Sequence, residues 1–232
     1  MLSPADHALL WTPPLLYAMF VPICRYLLIP EASAQAVLAF RTAHNITLAL
    51  YSAVVAVASL RALADRPISV HGMLCVPASP APTLVASWYA SKFFEWFDSL
   101  LLIAGRKSLS ALHYNHHMST ATVVAAHIVG RERRTSIFDV PMLLNSVVHT
   151  LMYTYYCKPA NLKPIKRLIT KLQIMQHFLV LLAILYTSTI YLSGSAACDI
   201  SMFANGLSLI LYSMYLVQFV LFYSSVADRK AK

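Results

Sequence analysis

Charge-poor stretches long enough to cross a bilayer occupy most of this 232-residue chain. Candidate spans lie near residues 8–29, 38–60, 80–104, 109–130, 137–157, 168–192 and 202–225. A spanning helix takes roughly 20 predominantly apolar residues, so seven such segments use about 140 positions and leave about 90 for tails and loops. No separate extramembrane domain fits in that remainder. Composition agrees: 59% of residues are hydrophobic and 12% charged, against about 25% charged in soluble domains. The expected fold is an all-α membrane protein of about seven transmembrane helices, a single integral-membrane domain over residues 1–232.

Other features narrow the class. The 5 glycines, Gly72, Gly105, Gly130, Gly194 and Gly206, lie too far apart to cradle a nucleotide phosphate, which excludes nucleotide-driven pumping. The 4 cysteines have no CxxC spacing, which argues against zinc ribbons and redox pairs. The first span carries Pro13, Pro14 and Pro22, expected to kink it. A cleavable signal peptide is the other reading of an N-terminal apolar stretch, but its basic leading region is missing. Asn45-Ile46-Thr47 forms a glycosylation sequon inside the second span, beyond the reach of the modifying machinery. The Pro/Ser/Ala run from Pro77 to Pro82 reads as a loop.

Basic residues set the orientation by the positive-inside rule. One side collects Arg25, Arg41, Arg106, Lys107, Lys158, Lys163, Lys166, Arg167, Lys171, Arg229, Lys230 and Lys232; the other holds Arg61, Arg66, Arg131, Arg133 and Arg134. The larger group places the C-terminus in the cytosol, with the Arg131–Arg134 cluster discordant. The formal charge of +9 fits cytosolic loops and an anionic ligand rather than nucleic acid. In this arrangement Cys75 and Cys198 both fall in non-cytosolic loops, where a disulfide can persist, while Cys24 and Cys157 lie near the cytosolic face.

Ionisable groups inside a membrane are costly and mark function. The third span carries Lys92, Glu95 and Asp98 at steps of three. The fourth opens with His113-Tyr114-Asn115-His116-His117, whose i, i+3, i+4 spacing puts three imidazoles within about 100° of arc. Asn145, His149, Met152, Tyr153 and Tyr156 share a stripe on the fifth, and Thr170, Gln173 and Gln176 follow on the sixth. All lie within a few turns of basic loops at the cytosolic side. Helices 2–7 are therefore expected to enclose one polar cavity that opens toward the cytosol.

Three readings of that cavity compete. Imidazoles at HxxHH spacing can ligate zinc or iron, but a di-iron centre needs several such boxes, and His44, His127 and His177 are scattered singles. A polar network that only ties helices together needs fewer groups than are present. Acyl chemistry fits best: a neutral imidazole is a competent nucleophile and base, and an amide such as Asn145 can fix its tautomer or donate to an oxyanion. A basic rim suits the phosphates of coenzyme A, and the membrane interior suits a fatty tail.

At these residues the chain resembles the very-long-chain fatty acid elongase (ELO) family, the microsomal 3-ketoacyl-CoA synthases. The pattern KxxExxD(T/S) reads Lys92, Glu95, Asp98 and Ser99, with Ser99 where threonine is more usual. HxxHH reads His113, His116 and His117; NxxxHxxMYxYY reads Asn145, His149, Met152, Tyr153, Tyr155 and Tyr156. TxxQxxQ reads Thr170, Gln173 and Gln176, and His44-Asn45 matches an HN pair at the start of the second span.

The resemblance implies condensation of acyl-CoA with malonyl-CoA to 3-ketoacyl-CoA, carbon dioxide and free CoA, by a ping-pong route with no cofactor and no metal. His116 carries over as the nucleophile, with His149 and Asn145 facing the reacting carbonyl. His113 and His117 are either acid/base or supporting groups, Asp98 orients a histidine, and Lys92 with Glu95 is either a buried ion pair or a catalytic one. Lys92, Glu95, Tyr153, Tyr156, Gln173 and Gln176 are expected to contact substrate, and Lys158, Lys163, Lys166 and Arg167 to hold the CoA phosphates. Implied partners are the bilayer, the reductases and dehydratase of an elongation cycle, and a second copy of the chain. Arg229-Lys230-Ala231-Lys232 is close to a dibasic retrieval signal for the endoplasmic reticulum. The alternatives are a membrane di-iron desaturase or hydroxylase with the His box as ligands, and a non-enzymatic receptor or transporter. Acyl-chain length is not encoded in these motifs.

Overall fold

A computed structural model describes residues 2–27, 34–76, 82–130, 138–157, 165–194, 198 and 200–231, with 226–231 as backbone alone. Lys158, Lys163, Arg131, Glu132, Arg133, Arg134 and Lys232 lie outside the described residues, as do 77–81 of the proline-rich loop and the side chains of Arg229 and Lys230.

Every regular element among the described residues is helical: α1 (Pro4–Leu27), α2 (Ala34–Ala64), α3 (Val70–Cys75), α4 (Pro82–Phe94), α5 (Trp96–Ala104), α6 (Ala111–Val129), α7 (Asp139–Cys157), α8 (Lys166–Leu192) and α9 (Met202–Ala231). Four of them, α1, α2, α8 and α9, are long and apolar enough to cross a membrane by length and composition. Helices α6 and α7 are 19 residues each, about 28 Å at 1.5 Å per residue. Their histidine and amide stripes lower the apolar content that marks the other four.

One expectation is corrected by the local backbone. The stretch 80–104 is not one helix: it breaks at Glu95 into α4 and α5, where the Asp98 N–H reaches back three residues to the Glu95 carbonyl at 3.1 Å. That bond belongs to a tighter 3₁₀ turn, which sits between the two polar groups Lys92 and Asp98. The first helix, by contrast, runs without interruption through Pro13, Pro14 and Pro22. Helix α6 begins at a defined point, because the Ser110 side chain accepts the His113 N–H at 3.2 Å, a cap that satisfies one of the four orphan donors of the first turn.

Packing follows a circuit. Helix α2 lies along α7, α7 along α8, α8 along α9, α9 along α6, α6 along α4 and α5, and α5 back along α2. Helix α1 stands outside that circuit, against α6 and α5. Two buried clusters hold the walls. Val123, Val180, Ile184, Tyr212, Tyr215 and Phe219 join α6, α8 and α9; Tyr17, Val21, Cys24, Trp96 and Ile103 join α1 to α5.

The end of the circuit remote from the His box is clamped twice. The Arg66 guanidinium after α2 donates to the Asp139 carboxylate at the start of α7 and, at 3.3 Å, to the Met73 carbonyl of α3. Both charged side chains are buried, at 5% and 0% exposure. A disulfide joins Cys75 of α3 to Cys198 before α9, closing 123 residues of chain. Short α3 is capped by Ser69, whose side chain accepts the Gly72 N–H. Gly72 itself sits so close to Pro67 that a Cβ would lie 2.3 Å from the Pro67 carbonyl oxygen, so no larger residue fits there.

Removing one member of a buried ion pair leaves the other charge uncompensated, at about 3–5 kcal/mol, whereas an apolar replacement of both is far milder. Arg66→Met and Asp139→Leu should therefore each lower the unfolding temperature in detergent strongly. The double variant should recover most of the loss in the same thermal-unfolding measurement; additive losses would mean that the pair is not coupled.

Candidate functional site

A cavity of about 510 Å³ opens inside the circuit, lined from α2, α5, α6, α7, α8 and α9. Exposed Lys107 and Lys166 with Arg41 stand on its wall at one end. His113, His116 and His117 project into it from α6, and Asn145, His149, Tyr153 and Tyr156 from α7. Glu95 and Asp98 line it at α5, and Gln173 and Gln176 at α8. Of the expected basic rim, Lys166 lines the cavity and Arg167 does not; Arg41 and Lys107 take that place. Lys92 sits just behind the wall, 3% exposed.

Lys92 organises the α4–α5–α7 side. Its Nζ donates to Glu95 Oε1 at 2.6 Å and to Asn145 Oδ1 at 3.1 Å, and stands 5.2 Å from the centre of the Trp88 ring. An ammonium can only donate, so the Asn145 oxygen must face it and the Asn145 amide nitrogen is left to donate. That nitrogen lies 3.1 Å from His149 Nε2. His149 therefore accepts at Nε2 and carries its proton on Nδ1, which faces Glu95 Oε1 at 3.6 Å, beyond hydrogen-bond length. The four side chains close a loop in which one buried charge pair fixes the tautomer of one histidine.

Asp98 holds a different histidine from any in the HxxHH box. Its Oδ1 pairs with His44 Nε2 at 2.9 Å and its Oδ2 accepts from the Tyr153 hydroxyl at 2.7 Å. One carboxylate thus ties α2, α5 and α7 together at the cavity wall. His113 Nε2 is hydrogen-bonded to Ser99 Oγ at 2.8 Å, and Ser99 in turn to the Tyr17 hydroxyl at 2.7 Å. His117 packs its ring 4.2 Å from that of His113, and its carbonyl accepts from Trp96 Nε1 at 3.1 Å.

His116 is held differently from His113 and His149, and shares with His117 and His177 a buried Nδ1 that has no partner among the described residues. Its ring makes no hydrogen bond among the described residues, and Nδ1 is buried without a partner there. Aromatic rings surround it: Tyr215 at 5.0 Å, His177 at 6.2 Å and Phe219 at 6.3 Å between centroids. Tyr215 is anchored by Ser119 at 2.6 Å. His116 is thus oriented by shape, with its lone pair uncommitted, which is the condition a nucleophilic imidazole needs.

His177 is the cavity histidine that motif reading passes over. It follows Gln176 on α8, is 2% exposed, and lines the cavity beside His116. The only hint in sequence is its position four residues after Gln173, on the same helical face. Gln173 Nε2 approaches Met152 Sδ at 3.6 Å, joining α8 to α7. Among the described residues no three His, Cys, Asp or Glu side chains form a metal-ligating group.

The geometry can be compared with known proteins. The sequence profile of ELO, the GNS1/SUR4 family, matches residues 7–232. A Schizosaccharomyces pombe protein that carries the provisional name fatty acid elongase 2 is 31% identical over 81% of this chain and 55% of its own length. Very long chain fatty acid elongase 3 of Homo sapiens is 34% identical over 57% of this chain and 49% of its own length. Very long chain fatty acid elongase 6 of Drosophila melanogaster is 29% identical over 65% and 50%. The chain spans about half the length of the curated relatives it matches.

The tautomer argument has a direct test. Asn145→Asp keeps the shape but offers only acceptors, so His149 should move its proton to Nε2 while Lys92 keeps its partner. Nitrogen chemical shifts of labelled His149 should switch between the two tautomeric patterns; an unchanged pattern would show that Asn145 does not set it.

Proposed function

The chain belongs to the ELO family, the GNS1/SUR4 family, and from that premise we propose that it is the condensing enzyme of a fatty acid elongation cycle. In this reading it sits in the endoplasmic reticulum membrane with about seven spans, its C-terminus and cavity mouth in the cytosol, and it joins acyl-CoA to malonyl-CoA. The observation that carries the proposal is the division among the cavity histidines: His149 and His113 have ring nitrogens engaged at 3.1 and 2.8 Å, while His116, His117 and His177 keep Nδ1 buried without a partner among the described residues, and of these three His116 is the one the family motif carries over as nucleophile.

In the first half-reaction a His116 ring nitrogen attacks the thioester carbon of acyl-CoA. The carbon–sulfur bond breaks, the other ring nitrogen gives up its proton, and the sulfur takes it, leaving an acyl-imidazole and free CoA. An acyl-imidazole lies close to a thioester in energy, so little is lost. In the second half-reaction malonyl-CoA loses carbon dioxide; the freed electron pair forms an enolate that attacks the acyl carbon. His116 departs and takes a proton from water, replacing the one given to the CoA sulfur, and a 3-ketoacyl-CoA two carbons longer is released. His149, carrying its proton on Nδ1 beside Glu95, stands at the cavity wall as the group that steadies charge on the reacting carbonyl oxygen.

His116→Ala should reduce turnover by about a thousandfold or more and abolish any covalent acyl adduct seen by intact mass in reactions lacking malonyl-CoA. An adduct of normal yield in that variant would transfer the nucleophile's role to His149.

The basic groups at the mouth supply the second test. Charge-assisted contacts to phosphate are stronger than neutral ones, and each partly exposed one contributes up to about tenfold in affinity at low ionic strength. Lys107→Gln with Lys166→Gln should raise KM for both CoA thioesters by about tenfold or more, and less at high salt, with kcat little changed. Equal KM values in wild type and variant would place CoA elsewhere.

A further inference from the structure

Helix α1 stands outside the circuit, and among the described residues it contributes nothing to the cavity lining. One of its side chains nevertheless reaches the cavity's histidines. Tyr17 is fully buried, and its hydroxyl lies 2.7 Å from Ser99 Oγ on α5, which in turn lies 2.8 Å from His113 Nε2 on α6. Ser99 is fully buried as well, and neither hydroxyl has another partner among the described residues. Three helices thus share a chain of two hydrogen bonds. The Tyr17 ring is seated by packing, against Trp96 at 5.3 Å, Tyr114 at 5.4 Å and Phe20 at 6.4 Å between centroids.

Proton counting gives the chain a direction. If His113 donated from Nε2 and Ser99 donated onward to Tyr17, the Tyr17 proton would be buried with no acceptor. If Tyr17 and His113 both donated to Ser99, the Ser99 proton would be the orphan. Only the order Tyr17 to Ser99 to His113 gives each hydroxyl proton an acceptor, and buried donors left unsatisfied are costly and rare. His113 Nε2 therefore accepts, and the ring carries its proton on Nδ1. A second tyrosine–serine pair shows what is special here. Ser119 is hydrogen-bonded to the Tyr215 hydroxyl and turns its own proton back on the Asn115 carbonyl of its helix, and Ser91, Thr150 and Thr170 make the same kind of local bond, the usual one for these residues. Ser99 instead reaches across to a histidine on another helix.

We propose that Tyr17 is a positioning residue: through Ser99 it holds His113 in the Nδ1-protonated form, so that His113 meets the substrate as a hydrogen-bond donor and not as a base. What the donor meets rests on the elongase reading above, whereas the direction of the relay rests on the geometry alone. His113 lines the cavity, and with Nε2 taken by Ser99, Nδ1 is the ring nitrogen it has left for a ligand. An N–H there holds an acceptor oxygen of the reacting thioester, one helical turn from His116. By donating to Ser99, the Tyr17 hydroxyl occupies the serine's acceptor side and keeps its proton on the histidine. A helix outside the circuit thereby sets the protonation of a group inside it.

The experiment uses the full chain in detergent with isotopically labelled histidine, and reads the tautomer of His113 from its ring nitrogen shifts, assigned by their loss in His113→Gln. Wild type should show the Nδ1-protonated pattern; an Nε2-protonated pattern would overturn the proposal. Tyr17→Phe keeps the ring and removes only the hydroxyl, so Ser99 can turn its proton back on its own helix and His113 should become a mixture of both tautomers. Ser99→Ala should have the same effect, and Tyr17→Phe alone decides if that variant does not fold. The His149 pattern should stay unchanged in both. Phe20→Leu disturbs the packing around Tyr17 and leaves the hydroxyl chain in place, so it should keep the wild-type His113 pattern. In the condensation assay Tyr17→Phe should lower kcat about tenfold, the worth of one hydrogen bond, with KM little changed. A wild-type His113 pattern in Tyr17→Phe would overturn the relay, and the same mixture in Phe20→Leu would assign the effect to packing and overturn it too. A changed pattern with unchanged kcat would remove His113 from turnover. If the wild type forms no 3-ketoacyl product, the elongase reading fails, and the nitrogen shifts alone decide the relay.

Discussion

A positive charge buried among apolar helices must be met, and in this protein that requirement places the reactive groups. Lys92 has one charged partner, Glu95, one residue type that can accept its second proton, Asn145, and an aromatic face, Trp88, beneath it. Leaving such a group unpaired costs several kcal/mol, so α4, α5 and α7 have little freedom in register once the three contacts form. His149 inherits its orientation and its tautomer from that arrangement. Asp98, one turn further along, repeats the logic with His44 and Tyr153 and fixes α2 to the same frame.

The opposite wall is built by different means. Around His116 there are rings rather than charges: Tyr215 and Phe219 from α9, His177 from α8 and its own neighbour His117. A site with one polar, hydrogen-bonded side and one aromatic, apolar side is suited to a ligand of the same division, polar at its reacting end and greasy beyond it. The basic groups Arg41, Lys107 and Lys166 extend the polar side to the surface. The two walls are also held by different forces, the polar side by hydrogen bonds and the aromatic side chiefly by burial.

Much of this is legible in the sequence because spacing along a helix is also direction in space. Lys92, Glu95 and Asp98, the three histidines from His113, and the stripe from Asn145 to Tyr156 read as inward faces before any coordinates exist, and these residues, Lys92 excepted, line one cavity. What escapes is whatever depends on a partner from a distant helix. Nothing local marks Arg66 as the mate of Asp139, 73 residues away, or His44 as the histidine that Asp98 holds. His177 and Tyr212 look like ordinary members of apolar helices. The interruption at Glu95 is hidden for another reason: no glycine or proline announces it, and the residue at the break keeps ordinary right-handed helical angles.

The double clamp at the far end has a mechanical meaning. An ion pair and a covalent bond cross the same end of the circuit, while among the described residues the end that carries Lys107 and Lys166 is bordered by exposed loop positions and a left-handed Arg106, at φ 53°. Local opening in a folded chain is drawn from its least restrained parts. Among the described residues the Arg66 and Cys75 base is thus the more tightly crosslinked end. Under the proposed two-step reaction this one basic end serves as both entrance and exit, so the first carrier leaves before the second takes its place.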